Sequence, residues 1–93
     1  MSDFTRWSQW FACGLDMKQH KTHAMAMMAW IAAHASSDGS GIEFNPEVWA
    51  SLADEIGLSA EEGKAAVDAL IAQGLLTAVG QETSDLLVLR AVI

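Results

Sequence analysis

The segment GLSAEEGKAAVDALIAQGLL, residues 57 to 76, constrains the fold more than any other stretch. Gly57 closes one helix, Ser59 opens the next, and Gly74 closes that one. Glu62, three residues after Ser59, completes a capping box, in which the serine accepts from a free backbone amide and the glutamate reaches back. Upstream, Asn45-Pro46 supplies an N-cap followed by proline at the first helical position, so another helix runs from there to Gly57. Two helices joined by Gly57-Leu58-Ser59 have the frame of a helix-turn-helix.

The rest of the chain fits around that frame. Phe4, Trp7, Trp10 and Phe11 recur at helical spacing between Asp3 and Ala12, with Ser2 or Asp3 as cap and Gly14 as the break. The Ala- and Met-rich stretch from Lys18 to Ser36 predicts a long central helix whose His23, Met27, Trp30, Ile31 and His34 recur at three- and four-residue steps. Residues 36–41 form a loop, and Ile42-Glu43-Phe44 is a short extended piece. Leu75–Val79 and Leu86–Ile93 read as two strands around a turn at 80–85. The expected fold is therefore mostly α with a small C-terminal β-hairpin, a winged helix-turn-helix. It forms a single domain over residues 1–93, with an N-terminal aromatic amphipathic helix over 1–14.

The charge is unevenly spread. The 93 residues carry a net −7, but residues 1–21 hold Arg6, Lys18 and Lys21 against Asp3 and Asp16. Residues 22–93 hold only Lys64 and Arg90 against ten acids. Phosphate backbones are held by Lys and Arg, so the acidic part opposes nucleic acid unless a local basic patch forms. Lone Cys13 has no intramolecular disulfide partner, and the ten-residue apolar run AMAMMAWIAA suits a buried helix rather than a membrane span. The N-terminus lacks the basic and apolar regions of a secretory signal. A cytoplasmic protein that does not enter membranes is expected.

Residues 24–79 resemble the N-terminal winged-helix domain of bacteriophage replication-initiation proteins and related phage regulators. The resemblance rests on His34-Ala35, Asp38-Gly39, Phe44, Pro46, Leu52-Ala53, Gly57-Leu58-Ser59 and Gly74-Leu75. It implies a DNA-reading helix after Gly-Leu-Ser that begins with arginines or other polar residues and then places a valine inward. This chain has Ala60, Glu61 and Glu62 there, Gly63 at the inward position, and Lys64 as the lone outward cation. Base edges are read mainly by Arg, Lys, Asn and Gln, so the departure points away from DNA. A bulky neighbour, Trp49 or Trp30, is expected to fill the space beside Gly63.

Other features have plain explanations. His20 and His23 form HxxH with His34 eleven residues on, too few ligands for a zinc site, so no metal is expected. Met25, Met27 and Met28 are read as core filling. Asp54-Glu55 and Glu61-Glu62 are adjacent helix residues pointing in different directions, with no nucleophile or phosphate loop nearby. Neither enzymatic activity nor a cofactor is expected.

The function this sequence suggests is that of a small acidic phage or mobile-element protein that binds a host protein or complex. It would inhibit a nucleic-acid-binding assembly in the manner of an anti-CRISPR. Glu61, Glu62, Lys64 and Asp68 would form the partner surface, with Trp7 or Trp10 as apolar anchor. The alternative is a DNA-binding transcriptional regulator or replication accessory protein using Arg6, Lys18, Lys21 and Lys64. The clustered N-terminal aromatics leave two roles open, core packing and an interface in a homodimer or with a partner.

Overall fold

A computed structural model of the chain describes residues 3–18, 20–83 and 86–93. Four helices precede most of a small antiparallel sheet: α1 Asp3–Leu15, α2 Lys21–His34, β1 Ile42–Phe44, α3 Pro46–Ile56, α4 Ala60–Ala72, β2 Leu76–Thr83 and β3 Leu86–Ala91. The expected caps on the side chains of Ser2 and Asp3, and the placement of the Phe4 ring, lie outside the described residues.

The local signals of the central frame act as written. Asn45 Oδ1 accepts from the Val48 amide at 2.8 Å, and Pro46 stands at the start of α3. Gly57 adopts φ 73° and Gly74 φ 78°, left-handed conformations that a side chain disfavours. Beyond α4, the Leu75 amide donates to Leu70 O at 2.9 Å and the Gly74 amide to Ile71 O at 3.0 Å. These two bonds form a Schellman cap.

Two helix boundaries differ from expectation. Gly14 does not break α1, which continues to Leu15. A Cβ at Gly14 would collide with the Met28 sulfur and lie 3.0 Å from that of Met25, so the glycine lets α1 press directly against α2. The entropic cost of an interior glycine, about 0.5–1 kcal/mol, is offset by that approach. The second helix begins at Lys21 rather than Lys18. Met17 is buried beneath the connector, and His20 turns the chain with φ 58°, the one non-glycine residue in the left-handed region among those described.

The sheet is larger than a hairpin. Ile42–Phe44 pairs with β3, giving the order β1-β3-β2 with all pairs antiparallel. Alternation explains the pairing, since Ile42 and Phe44 face the core while Glu43 faces out. Strand β2 runs through Gly80 to Thr83, where a turn was expected, with irregularities between Ala78 and Gly80 and between Gly80 and Thr83. Ser84 and Asp85 lie outside the described residues.

The core forms where α2 packs against α1, α3 and α4 and where the sheet closes over α4. Met27, Met28 and Ile31 of α2 meet Phe44, Leu52, Val67, Leu70, Leu76 and Leu89, all fully buried or nearly so. No helix of the described residues is long and apolar enough to cross a membrane.

Candidate functional site

The exposed face of α4 carries Glu61, Glu62, Lys64 and Asp68, all at the surface. Their roles separate on inspection. Glu62 Oε1 accepts from the Ser59 amide at 2.9 Å while Ser59 Oγ accepts from the Glu62 amide at 3.1 Å, so the capping box is closed in both directions. The Ser59 amide first, the Ser59 side chain next and nearby His23 last hold the Glu62 carboxyl below the ordinary glutamate range. His23 Nε2 stands 3.5 Å from Glu62 Oε2, linking the start of α2 to the start of α4. Glu62 is thus committed to the fold.

Glu61 and Asp68 make no ion pair and no side-chain hydrogen bond among the described residues. Lys64 is directed to one side, its Nζ 5.7 Å from the centre of the Trp49 ring in a cation–π contact. Glu55 on α3 is also occupied, its Oε2 accepting from Trp30 Nε1 at 2.7 Å and from Ser51 Oγ at 3.3 Å. Glu47 and Asp54 add further exposed carboxylates on α3. The free charge across the helix pair is therefore almost wholly negative.

Behind this face an aromatic column supports the helices. His34 stacks on Trp30 at 3.9 Å between ring centres, Trp30 lies 5.0 Å from Phe44, and Phe44 lies 4.2 Å from Trp49. The column joins α2, β1 and α3, and Lys64 of α4 caps it at the Trp49 end. His34 Nδ1 donates to the Trp30 carbonyl at 2.8 Å, which leaves Nε2 without that proton when the ring is neutral.

Of the N-terminal aromatics, Trp10 is in the core, and Trp7 and Phe11 are partly buried against it. Trp10 is only 2 % exposed and its Nε1 donates to Leu75 O at 2.8 Å, so it belongs to the core and is withdrawn as a partner anchor. That carbonyl also accepts from the Val92 amide at 2.9 Å, so one oxygen ties α1 to both ends of the sheet segment. Trp7 stays half-buried and meets Trp10 edge-on at 5.2 Å.

The cations expected to serve nucleic acid are scattered within the single chain. Arg6 is half-buried, with Nη2 3.5 Å from Ile93 O, near the start of α1. Lys18 lies three residues past the far end of that helix, whose stretch from Arg6 to Leu15 spans about 14 Å at about 1.5 Å per residue. Lys18 and Lys21 line a common hollow of about 390 Å³ with His20, Thr22 and His23.

A second feature had no signature in the sequence. Residues 16–18 and His20 of the connector face α4 across an open groove of about 650 Å³, lined on the helix side by Ala65, Asp68, Ala69 and Ala72. The i, i+4, i+7 spacing of the alanines was visible, but the segment opposite them was not. Among the described residues no cluster of three or more His, Cys, Asp or Glu side chains is arranged to hold a metal. Compared with protein-family models, curated proteins and solved structures, the chain matches none of them.

Proposed function

We propose that the chain is a winged helix-turn-helix protein of phage or mobile-element kind that acts by binding a protein. Its target is the basic, nucleic-acid-binding surface of a host complex, which it inhibits by occupying the place of the nucleic acid, as an anti-CRISPR does. The succession of α2, β1, α3, α4, β2 and β3, with β3 central in the sheet, supports the winged-helix reading. The observation that carries the function is the free negative charge of α4. Among the described residues Glu61 and Asp68 are exposed and unpaired, while Lys64 is held over Trp49. Such a face repels a phosphate backbone and complements a patch of Lys and Arg.

The alternative, a DNA-binding regulator or replication accessory protein, needs a convergent set of cations. Lys18 and Lys21 lie together, but Arg6 is at the other end of α1 and Lys64 is on α4. The reading is tested with immobilised protein and a nuclease-treated host lysate. Glu62 is left intact because it caps α4, and Glu61→Lys is the variant. The expected result is a retained nucleic-acid-binding protein whose affinity falls about tenfold or more with Glu61→Lys. An unchanged affinity would remove the acidic face from the mechanism.

A further inference from the structure

The groove between the connector and α4 and the smaller hollow lie side by side, with Lys18 and His20 lining both. Their charge runs in one direction. Asp16 and Asp68 belong to the larger part, whereas the smaller part adds Lys21 and His23 and no carboxylate of its own lining. Glu62 approaches His23 at 3.5 Å, but its other oxygen is engaged by the Ser59 amide. Asp16, Asp68, Lys18 and Lys21 form no ion pairs among the described residues.

A surface acidic at one end and basic at the other is complementary to itself under a two-fold axis. Each end then meets the opposite end of the second copy. The helix side suits such a contact, because three alanines project nothing beyond Cβ and helices approach to a distance set by their contact side chains.

We infer that this flank is the interface of a two-fold homodimer, with Asp16 and Asp68 of one copy facing Lys18 and Lys21 of the other. The inference goes beyond the proposed function: it commits Asp68 to the second copy and leaves Glu61, which does not line the groove, as the free carboxylate of α4 for the host protein. It assigns Lys18 and Lys21 to carboxylates of the second copy rather than to phosphate.

Sedimentation equilibrium of the full chain at about 0.1 mM tests it, in about 50 mM and about 500 mM salt. The expected result is a dimer at low salt whose dissociation constant rises about tenfold or more at high salt. Asp68→Lys alone and Lys18→Glu/Lys21→Glu alone should each sediment as monomers, and an equimolar mixture of the two variants should again sediment as a dimer. All three substituted side chains are exposed, and circular dichroism checks each variant's fold. If Asp68→Lys fails to fold, the lysine variant and the salt series decide. A monomeric wild type at this concentration overturns the inference. So does a dimer that ignores salt and both charge reversals, and a dimer broken only by Phe11→Ser would move the contact to α1.

Discussion

Gly63 shows how one residue couples the packing of three helices, α2, α3 and α4. A Cβ built there would lie 2.6 Å from Leu52 Cδ1, 3.3 Å from Met27 Cε and 3.5 Å from Trp49 Cε3. The space beside the glycine is filled, as expected, and Trp49 is one of the groups filling it. The closest neighbour is nevertheless Leu52, which the sequence did not single out, and Trp30 is not among the three nearest. Leu52 is fully buried, so its methyl has little room to retreat. Gly63→Val is therefore expected to destabilise the fold by about 1–3 kcal/mol, although it restores the side chain that the resemblance implies. Thermal or denaturant unfolding measures this, and a raised midpoint would mean that the site is underpacked. The neighbour's identity was illegible because it depends on how α3 crosses α4, which no local pattern encodes.

At the level of elements, α4 is fixed by its first turn, and that turn titrates. Glu62 has its carboxyl held below the ordinary value of 4.5, chiefly by the Ser59 amide. The folded state therefore binds fewer protons than the unfolded state between the lowered value and 4.5. The glutamate's contribution is fully present above 4.5 and is lost as pH falls through the lowered value. Asp38, held down by the Ser40 side chain and amide, shifts in the same direction. The melting temperature of the wild type should fall more steeply than that of Glu62→Gln on acidification from about pH 6 to about pH 3. Parallel curves would show that the cap does not respond to charge. This cap, the Asn45-Pro46 start and the two glycine stops were legible because each is complete within a few residues of sequence. The turn at His20 was not, and neither were the interior position of Gly14 and the pairing of β1 with β3, which are decided by distant partners. For Gly14 that partner is Met28, and for Ile42 it is Leu89.

Across the whole molecule, the candidate surface was legible in part for the same reason. Glu61, Lys64 and Asp68 could be placed outward from helical periodicity alone. Periodicity does not show that Lys64 rests over Trp49, that Glu62 is spent on a cap, or that Asp68 lines a groove with residues 16–18 and His20. Nor does it tell Trp10 in the core from Trp7 beside it, because both fall on the inward side of α1. These contacts leave a helix pair whose free charges among the described residues are carboxylates, and the proposed consequence is repulsion of nucleic acid. Fluorescence anisotropy of a labelled DNA duplex, titrated with the wild-type protein at about 50 mM salt, measures that consequence most directly. No rise in anisotropy is expected up to about 100 µM protein, the weak end of ordinary non-specific binding. A saturable rise at micromolar protein, diminished by Lys18→Glu/Lys21→Glu, would contradict that expectation and make the basic hollow a nucleic-acid site.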